Sequence, residues 1–240
     1  MEPLSALQRR SLESYLSYDL GAAGRAYVES RGLGEVASSL GLAEVPSAPA
    51  KAEHRKYAGR LIIPSYSARG TVCDMALRCM KDHDCGAEGC PKYLFLPGIP
   101  KRLYGLDDVR AAGSVIHIAE GHPDRMTLKA CGLHAIGVAG VNAWKAYHAR
   151  LLQGFETVYY WQQSDDKGQS GQLGERVRLA LSGSCVIMEL PVGHDLNSYY
   201  QEVGREGVLA LLEEGEAQDE RDEPDEPVVH YDDDGDIIPF

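Results

Sequence analysis

Three absences bound what this 240-residue chain can be. No apolar run approaches the roughly 18–20 residues that a bilayer crossing needs, so no membrane partner is expected. The opening MEPLSALQRR lacks the charged-then-apolar order of a secretory leader, and a cytoplasmic protein is expected. In that reducing setting six cysteines read as buried thiols, or as metal ligands where clustered, rather than as disulfides. The third absence is an excess of positive charge: 24 Lys+Arg stand against 36 Asp+Glu, a net −12. Taken whole, that argues against nucleic acid as a partner. Located along the chain, it does not. Residues 213–240 hold thirteen acids and one base, Arg221, which leaves 23 charges of each sign in residues 1–212. The body is neutral and the tail is a polyanion.

What is present is an ordinary globular composition, 44% hydrophobic and 25% charged, enough for one good core or two small ones. Leu7, Leu12, Tyr15 and Leu16, then Ala22, Ala26, Tyr27 and Val28, recur at helical spacing. Residues 43–52 turn to Ala, Pro and Ser and read as an exposed connector. Arg60–Pro64 and Thr71–Cys79 suggest a β-hairpin with a wide turn. From residue 114 the rhythm is clearer. Strands are expected at 115–119, 135–138, 157–161 and 185–190, with helices at 123–131, 143–152, 169–181 and 196–212. Such alternation implies parallel strands with crossover helices, an α/β sheet. Beyond Leu212 core-forming residues almost vanish, and a disordered tail is expected.

In an open parallel sheet the functional crevice lies at the carboxyl ends of the strands. Glu120 follows the first strand and Asp124 opens the next helix; Asp165 and Asp166 follow Trp161; Asp195 follows the last strand. Clustered hard oxygen ligands suit Mg²⁺ or Mn²⁺, which orient phosphates for in-line displacement. The competing reading makes the same acids helix N-caps and solvated loop residues.

Ile118-Ala119-Glu120-Gly121-His122-Pro123-Asp124 resembles the EGxxD segment of TOPRIM domains, and Gln163-Ser164-Asp165-Asp166-Lys167-Gly168 stands where they carry DxDxxG. The chain is further similar to the catalytic core of DnaG-type bacterial and phage primases. Gly59–Pro64 resembles their GRxxFP, Pro91–Leu94 their PKYL, Arg102–Leu106 their LYGL, Leu190–Asn197 their LPxGxDPD and Tyr27–Leu33 their YLxxRGL. Seven segments thus occur in the family's order. The resemblance implies a mixed α+β N-terminal subdomain (1–112) packed on a Rossmann-like TOPRIM domain (113–212) with a mainly parallel sheet, followed by the acidic tail (213–240). It implies synthesis of short RNA primers from ribonucleoside triphosphates on single-stranded DNA during replication. In that role Glu120 and Asp165 would be catalytic, and Glu120, Asp124, Gln163, Asp165, Asp195 and Asn197 would hold Mg²⁺ or Mn²⁺. Arg60, Arg78, Lys92, Tyr93 and Arg102 would meet nucleotide or template phosphates. Residues 51–110 carry eleven basic and seven acidic side chains, in keeping with a template surface.

The chain departs from that pattern in five places. Gln163 replaces the first Asp of DxD and Asn197 the second Asp of the closing motif. Each change keeps a ligating oxygen but removes a charge that a hard cation would use, and Asp166 could compensate by a one-residue shift. Residues 79–90 form an insertion in which Cys79, His83, Cys85 and Cys90 could take tetrahedral Zn²⁺ or form a reduced loop without metal. Cys73, Cys131, Cys185, His117, Trp144 and Trp161 read as core; His134 and His148 read as surface. The first 30 residues contain no cysteine, so the family's zinc-binding template reader is expected on another chain, alongside a replicative helicase. Finally, the tail's end, Asp232 to Phe240, resembles the acidic tip of bacterial single-stranded-DNA-binding proteins. Asp234, Asp236, Ile238, Pro239 and Phe240 would then dock on host proteins that receive that tip. Two other readings remain: an interaction protein that keeps the fold without strong catalysis, and a TOPRIM nuclease, against which the PKYL and LYGL segments weigh.

Overall fold

The computed structural model describes residues 3–49, 51–140, 143–164, 168–181 and 183–222. Helices α1 (Ala6–Glu13), α2 (Ala22–Ser30) and α3 (Gly34–Ala37) precede an antiparallel sheet ordered β1 (Ala43–Glu44), β2 (Arg60–Tyr66), β3 (Val72–Cys79) and β4 (Tyr93–Phe95). Ser5 starts α1 with a reciprocal capping box to Gln8. Strands β2 and β3 pair from Arg60↔Cys79 to Pro64↔Met75, the expected hairpin. Their apolar run is nearly continuous because both faces are covered. Ile62, Met75 and Leu77 pack against Leu12 and Tyr15 on one side, while Leu61, Ile63 and Ala76 meet Val28, Leu33 and Met126 on the other.

The second half follows as α4 (Asp108–Ala111), β5 (Val115–Ala119), α5 (His122–Ala130), β6 (Ala135–Gly137), α6 (Ala146–Ala149), β7 (Thr157–Gln162), α7 (Gln169–Leu181), β8 (Cys185–Glu189) and α8 (Leu196–Asp222). All pairs are parallel, in the order β6-β5-β7-β8. Side-chain alternation divides the core. Ile116, Ile118, Val158 and Tyr160 pack on Leu173 and Val177 of α7, and Ala119, Tyr159 and Trp161 pack on Leu128 of α5 and Val208 of α8. The chain leaves β5 toward β6 over one face and returns toward β7 over the other, as right-handed crossovers require. The strand order therefore reverses at the carboxyl end of β5.

The two sheets are joined by the segment before α4. Tyr104 bridges to Gly137, and Gly105, at φ +86°, sits where a Cβ would fall 2.5 Å from Arg125 Nε and 2.6 Å from the Ala135 carbonyl. Beneath it, buried Asp108 accepts from Arg125 and Lys129 at 2.8 Å each and from the Ala135 backbone at 3.2 Å. Stripping one partner from such a buried pair costs ~3–5 kcal/mol.

Four expectations are corrected. Residues 43–52 are not simply an exposed connector, since β1 pairs with β2 and Ala43 and Val45 are buried. The helix expected over 143–152 shrinks to Ala146–Ala149. His148 is buried rather than on the surface, and its Nδ1 accepts from the Lys145 backbone at 3.1 Å. Residues 213–222 are helical, not disordered: α8 runs to Asp222, interrupted at Gly204 (φ 70°). Tyr159 donates to Glu216 at 3.1 Å and pins the extension to the sheet. The tip residues Asp234, Asp236, Ile238, Pro239 and Phe240 lie outside the described residues. Among the described residues no helix is long and apolar enough to cross a membrane.

Candidate active site

The point at which an open parallel sheet reverses its strand order leaves a crevice between loops that diverge to opposite faces. Here Glu120 is the first residue beyond β5, Gly121 is the N-cap of α5, and Asp124 lies in that helix's first turn. A Cβ at Gly121 would come within 2.9 Å of Asp124 Oδ2, so a larger residue there would displace that carboxylate. Asp124 is only 6% exposed. Its Oδ1 accepts from the Asn197 backbone N–H at 3.2 Å, and its Oδ2 accepts from Gln163 Nε2 at 3.0 Å. Burial, then the charges of Asp195 and Glu120, push its carboxyl up to about 7 against the opposing pull of the Asn197 N–H and Arg78. Glu120 Oε1 accepts from Tyr160 Oη at 2.7 Å and from Ser170 Oγ. Asp195 plays the N-cap role foreseen as the alternative, since Oδ1 accepts from Ser198 N at 2.7 Å. It nevertheless lines the same cleft of about 490 Å³ as Glu120, Asp124 and Gln163.

The opposite wall is cationic. Arg31, Arg78 and Lys92 line it with Tyr93, and none of the three cations has a carboxylate partner within salt-bridge distance among the described residues. Arg78 is buried between two phenols, donating to Tyr27 Oη and Tyr93 Oη, with its guanidinium 5.5 and 5.0 Å from their ring centroids. His122, which the sequence reading passed over, also lines the cleft, packed between Tyr93 and Tyr104. Burial, then Arg78, Arg125 and Lys101, hold its imidazole down near 3, so it is neutral. Its place inside the turn between Glu120 and Asp124 was the available signal.

Not every expected residue gathers here. Asn197 contributes its backbone N–H, but its carboxamide is used elsewhere: Nδ2 donates to the Arg31 carbonyl (3.1 Å) and Thr127 Oγ1 (3.0 Å), and Oδ1 accepts from Arg31 and Gln201. Its side chain is engaged as a strut between α2, α5 and α8. Arg60 does not reach the cleft either. It donates to the Leu77 and Pro91 carbonyls at 3.2 and 2.9 Å and to Cys90 Sγ at 3.5 Å. Arg102 lines a neighbouring hollow with Lys101, Lys145 and Tyr147. Asp165 and Asp166 lie outside the described residues.

The fold is that of a known class of enzyme. The structure superposes on a DnaG primase catalytic domain bound to single-stranded DNA with a TM-score of 0.68 at 22% identity, covering 88% of this chain and 80% of that one. No protein-family model matches the chain. Over 125 residues it is 30% identical to the gene 57 protein of Mycobacterium phage D29, covering 52% of this chain and 80% of that protein. The chain belongs to one family with that phage protein and has the DnaG catalytic-core fold. It is also 27% identical over 172 residues to a DNA primase of Chlamydia pneumoniae, of which it spans 28%.

Within this primase-core fold the carboxylates fit a hard divalent cation. Three acids line one small cleft, and burial, then the charges of Asp195 and Glu120, raise the carboxyl of Asp124. They ring the cleft rather than closing into a cage, which suits an ion that keeps waters and shares phosphate oxygens. Glu120 and Asp124, with Asp195 at the rim, would hold it.

Residues 79–90 form a second candidate centre. Ligand atoms of Cys79, His83, Cys85 and Cys90 all lie within 4.8 Å of one another. Cys79 Sγ is 3.5 Å from His83 Nε2 and 3.6 Å from Cys90 Sγ, close to the roughly 3.4–3.8 Å edges of a tetrahedron built on zinc–sulfur and zinc–nitrogen bonds. Burial raises the Cys79 thiol, but the Lys81 N–H and hydrogen bonds from Cys90, His83 and Cys85 outweigh it and bring it down to about 7. Metal coordination needs that thiolate. Arg60 supplies an outer contact to Cys90.

Proposed function

We propose that the chain is a DNA primase core acting in phage DNA replication in the host cytoplasm, with the division between its two halves near residue 112. The single observation that carries the reading is the meeting, in one cleft at the strand-order reversal, of Glu120, Asp124 and Asp195 with the cations Arg78 and Lys92, neither of which has a carboxylate partner within salt-bridge distance among the described residues. A nucleoside triphosphate brings the charge that satisfies both walls. Its phosphates would lie against Lys92 and Arg78 through charge-assisted hydrogen bonds, while Arg31 lines the same wall from the end of α2. A hydroxyl of one ribonucleotide attacks the α-phosphorus of the next; the new ester bond forms as the bond to pyrophosphate breaks. Bound Mg²⁺ or Mn²⁺ would supply electrostatic stabilisation of the phosphate charge. Glu120 is held by Tyr160 and Ser170 through one oxygen, which leaves the other to take the hydroxyl proton or orient the cation's water. Asp124 is fixed by Asn197 and Gln163. Asp165 is the further carboxylate that the motif assigns to this edge.

In the same reading the Cys/His centre takes Zn²⁺ as a structural ion. The template is single-stranded DNA, and a helicase or a separate template-reading module works beside the chain. The acidic tip ending in Phe240 docks on host proteins that recognise such tips: the ring fills an apolar pocket while the aspartates meet a basic rim. Labelled ribonucleotide incorporation on single-stranded DNA with Mg²⁺ or Mn²⁺ tests the main claim. Wild type should extend and Glu120→Gln should fall at least ~100-fold. No incorporation by wild type, with or without neighbouring replication proteins, would sink it and leave the second reading, an interaction protein that works through its tip. Deleting Phe240 tests that tip, and binding that survives the deletion refutes it.

A further inference from the structure

Beside the carboxylate cleft lies a second hollow, a space of about 680 Å³ between the Cys/His loop and α2. The two cavities share Arg31, Arg78 and Lys92, so these cations form a common wall. Beyond that wall the hollow gains Lys81 from the loop and Tyr27 from α2. None of the four cations has a carboxylate partner within salt-bridge distance among the described residues. The opposing acids are few. Asp84 is turned onto its own loop, where Oδ1 accepts from the backbone of Gly86 at 2.8 Å and Ala87 at 3.4 Å, and exposed Asp82 is the other acid that lines the hollow. Even with both aspartates and the single negative charge of a zinc-loaded three-thiolate centre counted, positive charge is in excess. The hollow also has a flat element. The Tyr27 ring lies beside the Arg31 guanidinium at 5.6 Å and the Arg78 guanidinium at 5.5 Å, an aromatic–guanidinium stack of the kind on which unpaired bases rest.

We propose that this hollow is a strand-binding subsite: it takes the sugar-phosphate backbone of the single strand adjoining the nucleotide in the cleft, with the Cys/His loop as its outer wall. The shared cations make one continuous phosphate track, and Lys81 marks the end of it that a lone nucleotide does not reach. The inference rests on the primase reading for which strand arrives, template DNA or product RNA. Its chemistry, a phosphodiester chain with an exposed base, is common to both.

Fluorescence anisotropy with a labelled 12-mer of DNA and the same sequence in RNA tests it, each at several salt concentrations, beside binding of a fluorescent ribonucleoside triphosphate with Mg²⁺. Lys81 is exposed and is not one of the four candidate ligands, so Lys81→Glu and the milder Lys81→Met can be checked for unchanged metal content and melting. For Lys81→Glu the strand Kd should rise about 5–10-fold near 0.1 M salt, and the slope of log K against log salt should fall by about 1. Lys81→Met should lie between it and wild type, and triphosphate binding should stay within twofold. Loss confined to the DNA probe identifies the strand as template; loss confined to RNA identifies product. Strand affinity unchanged in both variants overturns the subsite. So does an equal loss of triphosphate binding, because Lys81 would then act on the cleft itself. Either failure in a protein that still incorporates ribonucleotides refutes the subsite alone; wild type that incorporates none refutes the primase reading.

Discussion

Asp124→Asn should make the metal-free protein more stable at neutral pH, although it removes a proposed metal contact. A carboxyl moved from its ordinary 3.8 to about 7 makes the ionised folded state costlier by ~4 kcal/mol. The folded protein binds this proton more tightly than the unfolded chain does. The stability associated with it is therefore whole below about pH 4, is lost progressively as pH rises toward 7, and stays lost above. Asparagine keeps the shape and an acceptor for the Asn197 N–H but cannot ionise. Two buried histidines slope the other way: His117 is lowered to about 4 and His122 to about 3, chiefly by burial, so the unfolded chain binds more protons and stability climbs with pH toward 6.5. Both are present in wild type and variant, and subtraction removes them. Urea denaturation in EDTA at half-unit steps from pH 4.5 to 8 gives the difference curve. The variant's advantage should grow through this window by ~2–4 kcal/mol, and Mg²⁺ should erase it by stabilising wild type alone. A difference curve flat across the window would refute the assignment of Asp124 as a buried, repelled carboxylate.

Three other outcomes follow from the geometry. Gln163→Asp replaces an amide that donates to Asp124 at 3.0 Å with a fourth carboxylate in the cleft; the metal-free protein should lose ~1–3 kcal/mol, while ribonucleotide incorporation should half-saturate at several-fold lower Mg²⁺, and an unchanged Mg²⁺ dependence counts against the ligand role. Gly105→Ala places a methyl 2.5 Å from Arg125 Nε at a φ of +86°; a loss of ~3 kcal/mol, read as a melting temperature lower by roughly 6–12 °C, is expected, and a shift within 2 °C refutes the close approach. Cys90→Ser should drop the zinc content of purified protein from about one ion to near zero and lower the melting temperature; a wild-type stoichiometry near zero removes the zinc site.

Periodicity revealed the parallel half of the fold because each of its strands is bounded by turn residues and followed by an amphipathic run; α7 begins and ends where its pattern predicts. The errors have local causes. Strand β1 is two residues long, too short for any alternation to register, and it is held by pairing with β2 rather than by its own propensity. The segment just after Leu212 lacks core-forming residues, yet Glu, Ala and Gln are good helix formers, and Tyr159 supplies Glu216 with a tertiary partner. The carboxylates of the cleft were legible because strand ends fix where loops must go. The cations were harder. Arg60 and Arg78 open and close paired stretches of neighbouring strands, Arg60↔Cys79 and Leu61↔Arg78, but one turns to carbonyls and a thiol and the other into the cleft. That choice depends on which partners lie on each face of the sheet, which sequence spacing does not encode.

Asn197 gives the two halves of the molecule a means of sensing each other. Its main chain holds Asp124 while its amide grips the Arg31 carbonyl at the end of α2, so one residue links the buried carboxylate of the cleft to the helix that borders both cavities. The link is short and buried: Asn197 also donates from Nδ2 to Thr127 Oγ1 of α5 at 3.0 Å, so a single amide ties the C-terminal end of α2 to the helix that carries Asp124, a tie that an aspartate, with no N–H in its side chain, could not make.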